Sequence, residues 1–349
     1  MLNAANIGLA MLALALSAVF TPAVIRLCSR LRAFDAPCAR KVHRREVPRL
    51  GGVGLFIALS LGMTAAGFAA LAGWIEIPAQ YVRLMPVIYL GLCGYFFIGF
   101  WDDLRSLPAW PRLIAQLAVA SMVVLLGWGA GLRITAAFGH YVFPAWLSFI
   151  VSVVWIAGVV NCFNWIDGLD GLAAGLGLIA ALAFFALVVL KPGLPNTALT
   201  AALCALIIGA LLGFLPYNFY PARTFIGDGG AFSLGYMLAV VSVVGLFKTA
   251  AVISFLLPVL ILALPIGDTL FAILRRLARG EPVTAPDNQH IHHRILALFS
   301  RRYRRALALG PRSSEAMLAE ARAHRNTVLA LYAFAALFAA LAVGMGIRA

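Results

Sequence analysis

This 349-residue sequence has unusually few charged residues. Only 11% of its residues are charged and 63% are apolar, with a mean hydropathy of +0.97. A soluble globular domain has about 25% charged residues, so the deficit excludes an ordinary soluble enzyme. The abundance of apolar residues excludes a disordered chain. Cysteine is also scarce: the five cysteines are odd in number and no CxxC pair occurs, which argues against a disulfide framework.

The sequence contains long runs of apolar residues that have almost no charged residues. Because a helix crosses a bilayer with about 20 apolar residues, the sequence predicts an all-α polytopic membrane protein with about ten transmembrane helices. We expect one integral-membrane domain over residues 1–349. The first run has no basic residue before Arg26, so we interpret it as a retained span rather than a signal peptide. The runs lie at 5–27, 50–72, 84–100, 113–130, 146–163, 173–190, 198–217, 232–247, 250–274 and 327–347.

The charged residues are sorted between the two sides of this predicted bundle. Of the 27 Lys and Arg residues, 22 follow odd-numbered spans and 5 follow even-numbered spans. The positive-inside rule therefore places the odd junctions in the cytoplasm and both termini outside. Eleven of the 13 acidic residues fall in the same junctions, so we expect five cytoplasmic loops to form one active site. We name them loop A (about 28–49), loop B (101–112), loop C (164–172), loop D (217–231) and loop E (275–326).

Loop A is basic and leads into a glycine pair. Lys41 and His43 lie within a run of basic residues, and Gly51-Gly52 follows. Lys and Arg donate to phosphate, and glycine allows close approach of the backbone, so an anion site is one interpretation. The alternative is a topogenic loop on anionic lipid headgroups.

Loop B begins with two adjacent carboxylates at the end of an apolar run. Asp102 and Asp103 precede Arg112 by about ten residues. Carboxylates at this place fit a metal–phosphate site or a general base. A solvated helix end is the alternative interpretation.

Loop C has a polar residue at every third position. Asn161, Asn164, Asp167 and Asp170 form this series, and residues three apart are neighbours on one helix face. Carboxylate and amide oxygens are hard ligands that suit Mg²⁺. Helix capping by Asn and Asp is the alternative, although four such residues exceed what a cap needs.

Loop D contains a single carboxylate among glycines. Asp228 lies between Gly227 and Gly229-Gly230, and glycines permit a tight turn that aims this carboxylate at a metal. A glycine-rich turn with a capping aspartate is the alternative.

Loop E contains a histidine cluster, HIHHR, from His290 to Arg294. No two of these histidines are four residues apart and no cysteine or acid has zinc-like spacing, so anion or sugar binding fits better than zinc. Asp268 lies inside the ninth predicted span, about 10 Å deep in a regular helix. A functional role and a structural hydrogen bond remain equally open for this acid.

The loops together indicate more than each loop alone. Acids and bases gather on one side of the bundle, while a channel or carrier needs polar residues through the depth of the bilayer. Acids suited to Mg²⁺ beside bases suited to anions indicate phosphoryl transfer between a lipid headgroup and a soluble substrate.

In the motifs of loops A to E, the chain resembles the polyprenyl-phosphate N-acetylhexosamine-1-phosphate transferases over essentially its whole length. Loop A resembles RKxHxxxxPxxGG, loop B resembles DDxxxL…Q, and loop C matches the specific pattern NxxNxxDGxDGLAxG. Loop D resembles NxxPAxxFxGDxGxxxLG, and Asp268-Thr269 with Arg275-Arg276 resembles DTxxAxxRR. The HIHHR sequence is similar to the form of the branch that uses UDP-N-acetylglucosamine.

The resemblance implies transfer of a sugar-1-phosphate from a UDP-sugar to a polyprenyl phosphate, with release of UMP and a need for Mg²⁺ or Mn²⁺. It implies a multi-pass protein of the bacterial inner (cytoplasmic) membrane with its active site on the cytoplasmic face. The implied partners are a UDP-N-acetylhexosamine, undecaprenyl phosphate and anionic lipid headgroups. A homodimer stays open, and nucleic acid is not an expected partner.

Motif positions also imply roles for individual residues. Asp228 would bind the metal, with Asn164 beside it. Asp102 or Asp103 would deprotonate or orient the lipid phosphate, and Asp167 and Asp170 would serve the nucleotide and the metal-site network. The implied substrate-binding residues are Lys41, His43, Arg112, Asn161, Asn164, Asn218, His290, His292, His293 and Arg294.

Three hypotheses follow. The first is transfer of N-acetylglucosamine-1-phosphate to undecaprenyl phosphate as the first membrane step of surface polysaccharide synthesis. The second keeps the reaction with N-acetylgalactosamine or a 6-deoxy-N-acetylhexosamine, and the third is a transporter or scaffold that has kept the fold. Direct attack by the lipid phosphate is favoured over an aspartyl-phosphate intermediate, because positioning and charge neutralisation can suffice.

Overall fold

A computed structural model describes residues 4–31, 34–35, 46–135, 137–138, 141–191, 196–245, 252–282, 290–300 and 314–348. These residues are almost entirely helical, as expected for a chain that must satisfy its backbone hydrogen bonds within a membrane. The helices are α1 (Ala4–Leu31), α2 (Gly52–Leu71), α3 (Ala79–Val82), α4 (Leu84–Arg105), α5 (Ala109–Gly127), α6 (Ala145–Ile166), α7 (Leu172–Leu190), α8 (Thr197–Asn218), α9 (Gly227–Gly245), α10 (Val252–Ile261), α11 (Ala263–Ala278), α12 (Ile291–Phe299) and α13 (Ser314–Arg348).

Two short antiparallel hairpins are the only strands in the described part of the chain. β1 (Phe34–Asp35) pairs with β2 (Val47–Pro48), and β3 (Ala137–Phe138) pairs with β4 (Tyr141–Val142). Each strand has two residues, so neither hairpin forms a sheet that could organise the fold. The first hairpin matters for function because β2 leads directly into α2.

Nine helical segments of the described chain are long and apolar enough to cross a membrane. They are α1, α2, α3 together with α4, and α5 to α9, followed by most of α13. The expected all-α polytopic architecture is therefore confirmed. The sides on which the termini and loops lie stay predictions.

The predicted ninth span, 250–274, is divided into α10 and α11. The division falls at Leu262, whose φ of −98° and ψ of 18° are outside the helical range. Pro265 has no backbone N–H and cannot donate to the carbonyl of Ile261, so the helical ladder loses a bond at this point. Hydropathy alone does not reveal such a break.

Helix α9 is the centre of the bundle. Every residue from Gly229 to Gly245 is buried, and α9 contacts α2, α4, α6, α7 and α8. Small residues make this packing possible, because helices in lipid associate through close contact rather than through a hydrophobic driving force. A Cβ atom on Gly99 of α4 would lie 2.4 Å from the backbone oxygen of Asp228, and one on Gly52 of α2 would lie 2.4 Å from the Cα atom of Gly230. These contacts bring the ends of α2 and α4 to the amino terminus of α9, where the site forms.

Candidate active site at the amino terminus of α9

A carboxylate from another helix caps the amino terminus of α9. Asp103, in the last turn of α4, accepts the backbone N–H of Asp228 on Oδ1 and that of Gly229 on Oδ2, each at 3.0 Å. Free N–H groups and the helix dipole make a helix amino terminus a favourable place for a negative charge. Gly227 has φ of +65°, and a Cβ atom there would lie 2.7 Å from Asp103 Oδ2. Asp103 therefore fixes the turn that presents Asp228.

Asp228 is joined to loop C by a side-chain hydrogen bond. Asn164 Nδ2 donates to Asp228 Oδ1 at 2.5 Å. This contact links the last turn of α6 to the first turn of α9 across 64 residues of sequence. The side chain of Asp228 also interacts with that of Asp102, so Asp228 and Asn164, the metal site that the motif match implied, lie beside a second carboxylate.

Asp167 follows directly after α6 and lies among other carboxylates. Burial raises its pKa well above the usual range for aspartate, and the charges of Asp228, Asp103 and Asp170 add to this shift. We call Asp103, Asp167, Asp170 and Asp228, with Asn164, the acidic cluster. Because the cluster concentrates negative charge in a desolvated place, a bound cation would relieve its repulsion.

Arg49 is a basic residue at the edge of the acidic cluster that motif spacing did not single out. Its Nη2 lies 3.4 Å from Asp103 Oδ1, and its side chain is 32% exposed. It occupies a variable position of the loop A pattern, so only its basic charge could have drawn attention to it. Lys41 and His43 lie outside the described residues.

Asp102 is engaged within loop B. Its Oδ1 accepts the backbone N–H of Leu107 at 2.6 Å, and its Oδ2 accepts a hydrogen bond from the Arg112 guanidinium. The pair ties the end of α4 to the beginning of α5. The side chain of Asp102 also interacts with that of Asp228. The two adjacent aspartates, predicted as alternatives for one role, thus have different backbone partners: Asp103 accepts from α9, and Asp102 accepts from Leu107 of loop B.

Loops A and D are joined through their backbones. Phe225 N–H donates to the Pro48 carbonyl at 2.9 Å, and the carbonyls of Phe225 and Ile226 accept from Gly51 and Gly52 at 3.0 and 2.9 Å. These bonds explain the glycine pair, since a Cβ atom on Gly51 would lie 2.5 Å from the Phe225 carbonyl oxygen. Loop A thereby reaches the residues just before Asp228.

Three residues predicted for the site make hydrogen bonds that connect helices or loops. Asn161 donates to Gln116 Oε1 at 2.7 Å and to the Ala157 carbonyl at 2.8 Å, which connects α6 with α5. Asn218 is buried and donates to the Thr224 carbonyl at 3.0 Å within loop D. Asp170 accepts the backbone N–H of Ala222 at 2.9 Å, which connects loops C and D. Substrate binding by Asn161 and Asn218 stays a prediction, and their contacts already explain why amides occupy these positions.

The histidine cluster of loop E begins α12 and packs on loop C. We call His290 together with α12 the histidine helix. His290 lies edge-on to Trp165 with ring centroids 6.4 Å apart, and the Arg276 guanidinium lies over the same tryptophan at 5.1 Å. A Cβ atom on Gly168 would lie 2.2 Å from His292 Nε2. The histidine helix is therefore brought against the segment that contains Asp167 and Asp170.

The histidines do not share one environment. His292 is buried, and burial together with the charge of His293 lowers its pKa to about 3, so His292 is neutral at pH 7. His293 packs against His292 with ring centroids 4.3 Å apart, and Arg294 lies in the first turn of α12. A neutral imidazole can donate and accept hydrogen bonds, which suits sugar hydroxyls better than a net charge would.

Helix α13 supplies two site-lining side chains that sequence reasoning missed. His324 is buried and stacks on Tyr220 of loop D with ring centroids 4.3 Å apart. Tyr332 donates its hydroxyl hydrogen to the Gly171 carbonyl of loop C. A histidine and a tyrosine eight residues apart in an apolar helix are the only sequence signal for this face, and residues at this spacing fall within one helix face about 100° wide.

The donor set of the acidic cluster fits Mg²⁺. Carboxylate and amide oxygens surround a place with excess negative charge, and the basic residue in contact with it, Arg49, is partly exposed. Within the described ranges, no three His, Cys, Asp or Glu side chains form a ready-made metal cage. Mg²⁺ commonly keeps several waters and binds one or two carboxylates plus substrate phosphates, so it does not need such a cage.

Comparison with known proteins identifies relatives over most of the chain. Residues 85–246 match the family described as Glycosyl transferase family 4. A Bacillus subtilis (strain 168) protein named probable undecaprenyl-phosphate N-acetylglucosaminyl 1-phosphate transferase is 38% identical over 280 residues, which cover 80% of this chain and 74% of that protein. A Mycobacterium tuberculosis (strain CDC 1551 / Oshkosh) decaprenyl-phosphate N-acetylglucosaminephosphotransferase is 35% identical over 300 residues, covering 80% and 72%. A Thermotoga maritima undecaprenyl-phosphate alpha-N-acetylglucosaminyl 1-phosphate transferase is 29% identical over 289 residues, covering 82% and 80%.

A bundle of membrane-crossing helices that gathers acids, bases and histidines at one end defines a membrane-embedded transferase. The chain belongs to glycosyl transferase family 4. The family resemblance recognised from the loop motifs is therefore confirmed. The match covers α4 to α9, which contain Asp102, Asp103, the loop C series and Asp228.

Proposed function

We propose that this protein transfers N-acetylglucosamine-1-phosphate from UDP-N-acetylglucosamine to undecaprenyl phosphate and releases UMP. The observation that supports it most is the meeting of loops A to D at the amino terminus of α9, with the histidine helix packed on loop C. A donor diphosphate needs neutralising charge and a lipid phosphate needs orientation, and this end of the bundle offers groups for both. The names of the relatives agree with this donor and acceptor class.

Mg²⁺ is part of the proposal, with Asp228 and Asn164 as the residues that would hold it. When bound, Mg²⁺ would neutralise charge that develops on the diphosphate oxygens. Asp103 keeps Asp228 in place through the two backbone hydrogen bonds at the start of α9. Asp167 and Asp170 contribute the negative field that favours a cation at this place.

The chemical step is an in-line displacement at the β-phosphorus of the donor. An oxygen of the lipid phosphate forms a new bond to this phosphorus, the bond to the oxygen bridging the two phosphates breaks, and UMP leaves with that oxygen. Both oxygens of Asp103 accept backbone N–H groups, and Asp102 is paired with Arg112. Because these carboxylates are already engaged, their environment favours direct attack by the lipid phosphate over an aspartyl-phosphate intermediate.

The histidine helix is assigned to the donor sugar and its phosphate. It packs on loop C beside Asp167 and Asp170, and its neutral His292 lies against Gly168. Arg49 and Arg112 are the basic side chains at the edge of loops A and B that would hold phosphate groups. The excess of basic residues in the odd junctions supports a cytoplasmic position for this end of the bundle in a bacterial inner membrane.

UMP release by the purified protein in detergent tests the proposal. Undecaprenyl phosphate would be supplied with UDP-N-acetylglucosamine or UDP-N-acetylgalactosamine, each with and without Mg²⁺. Metal-dependent UMP release from the first donor alone is expected. Release only from UDP-N-acetylgalactosamine would keep the reaction and correct the sugar. Folded protein that releases UMP from no UDP-N-acetylhexosamine would overturn the proposal in favour of a transporter or scaffold.

A further inference from the structure

Asp268 and His290 form a buried pair outside the acidic cluster. His290 Nδ1 and Asp268 Oδ2 are 2.8 Å apart, and Asp268 Oδ1 accepts the backbone N–H of Ile291 at 2.7 Å. Both side chains are buried, at 2% exposure for Asp268 and 9% for His290. The carboxylate reaches from α11 to the first residues of α12, across 22 positions of sequence.

The pair determines which nitrogen of His290 is free. An ionised carboxylate offers only acceptors, so the hydrogen between the two groups belongs to Nδ1. The other ring nitrogen, Nε2, then accepts from a hydroxyl or amide when the ring is neutral and donates to a phosphate when the ring is protonated. Edge contact with Trp165 and stacking on His292, at a centroid distance of 5.6 Å, limit rotation of the ring.

We propose that Asp268 is a positioning residue that holds His290 in one tautomer and one orientation, with Nε2 directed to the sugar of the nucleotide-sugar donor. The inference rests on the proposed function, which assigns the histidine helix to that donor. It resolves the two roles left open for Asp268, because the same carboxylate makes the structural bond to Ile291 and the functional bond to His290. Hydrogen-bond partners of this kind orient histidine ligands in many metal and catalytic sites.

The alternative is that Asp268 only caps α12. A cap needs one acceptor for the Ile291 N–H, and an amide oxygen supplies it as well as a carboxylate does. The two roles therefore separate in Asp268→Asn. Its oxygen can still cap α12, while its NH₂ group faces His290 Nδ1 and requires an acceptor there, which moves the ring hydrogen to Nε2.

The experiment compares Asp268→Asn with His290→Asn and the double variant. His290→Asn keeps an N–H donor near the position of Nδ1 and lacks Nε2. For Asp268→Asn we expect kcat/KM for UDP-N-acetylglucosamine to fall about 10–100-fold, the range typical of residues that orient a ligand-binding histidine. The KM for undecaprenyl phosphate should stay within about 2-fold, because His290 is assigned to the other substrate. In the His290→Asn background, Asp268→Asn should cost no further activity, since residues that act as a unit are not additive.

Binding provides a readout that does not depend on turnover. UDP-N-acetylglucosamine has the sugar that UDP lacks, so Asp268→Asn should weaken binding of UDP-N-acetylglucosamine by calorimetry and leave UDP binding unchanged. Thr269→Val is the matched control, because it changes the neighbouring buried polar side chain of the same helix without touching the pair. Asp268→Ser, whose hydroxyl can still accept from Ile291, replaces the amide variant if that variant does not fold.

The outcomes separate the two levels of inference. If the wild-type protein releases UMP and Asp268→Asn matches it, only the role of Asp268 is overturned. If Asp268→Asn lowers activity equally with and without His290, or weakens binding of UDP and UDP-N-acetylglucosamine alike, the residue is structural and the inference also fails. A wild-type protein that neither releases UMP nor binds UDP would overturn the proposed function and this inference with it.

Discussion

The acidic cluster and the histidine helix meet at the same end of the bundle but are balanced differently. In the acidic cluster, the charges of Asp103, Asp170 and Asp228 act on Asp167, and the basic side chain in contact with Asp103 is the partly exposed Arg49. At the start of the histidine helix, His290 is paired with the buried Asp268 of α11, and His292 is neutral. The excess of carboxylates in the acidic cluster indicates a site for a cation. The hydrogen-bonded pair of Asp268 and His290 instead indicates a carboxylate that positions an imidazole.

The comparison also separates two uses of a backbone N–H. Asp103 uses both oxygens to hold the first turn of α9, and Asp268 uses one oxygen for α12 and one for an imidazole. In both cases an acid from a neighbouring helix anchors a helix amino terminus, which the helix dipole favours. Four predictions test how far the difference extends, from the largest expected effect to the smallest.

Removing Asp228 should abolish transfer. Asp228→Ala deletes the carboxylate proposed for Mg²⁺ and should lower UMP release by about 1000-fold or more, since a preorganised charge is the largest catalytic contribution. Asp170→Ala is expected to have a similar effect. The variants should still insert and purify, because the cluster faces a polar site rather than lipid. Glu281→Gln is the control, since this exposed carboxylate lies outside the cluster. Misfolding of the alanine variants would contradict the prediction.

Asp103→Asn should damage both stability and rate. An amide oxygen can accept one of the two N–H groups at the start of α9, and its NH₂ group would face the other. Loss of a helix cap costs about 1 kcal/mol, and misplacement of Asp228 should slow UMP release about 100-fold, as small displacements in active sites do. Thermal unfolding in detergent and initial rates measure the two effects. An unchanged unfolding temperature would show that Asp103 does not anchor α9.

Gly168→Ala should disturb the histidine helix while every carboxylate of the acidic cluster is kept. The added methyl group would lie 2.2 Å from His292 Nε2, so the imidazole must move. We expect the KM for the UDP-sugar to rise about 10-fold, a loss of the size of one hydrogen bond. Gly267→Ala is the matched control, because a Cβ atom there meets nothing within 4 Å. Equal kinetics for both alanine variants would argue against contact between the histidine helix and loop C.

Tyr332→Phe should have the smallest effect. It removes the hydroxyl that donates to the Gly171 carbonyl, and a buried hydrogen bond contributes about 1 kcal/mol to stability. The unfolding temperature should fall by a few degrees, as expected for a loss of this size, while UMP release stays within about 3-fold because the acidic cluster is untouched. A large loss of activity would show that α13 contributes more to the site than a brace.

Much of the site could be predicted from sequence because its residues lie in short motifs. Asp228 and Asn164, predicted as partners, are in hydrogen-bond contact. Spacing along one helix failed to separate Asn161 from Asn164, although they lie on neighbouring turns of α6. Packing assigns the first to Gln116 of α5 and the second to Asp228 of α9. Periodicity identifies a face, but the neighbouring helix decides what that face contacts.

The contacts of α13 with loops C and D could not be predicted from the sequence. His324 and Tyr332 reach loops D and C across more than 100 residues, and no local pattern encodes such a contact. The break at Leu262 was also missed, because a proline in an apolar run changes hydrogen bonding without changing hydropathy.

The sequence by itself determined that this is a multi-pass helical membrane protein of glycosyl transferase family 4, and which loops contain its polar chemistry. These properties depend on composition and on residues close together in the chain, so they survive without knowledge of the fold. Only the tertiary structure decided that Asp103 holds α9, that Asp102 holds Arg112 and that Asp268 holds His290. Asp102 and Asp103 are adjacent and identical in sequence. Their hydrogen-bond partners differ because the end of α4 lies between the start of α9 and the start of α5.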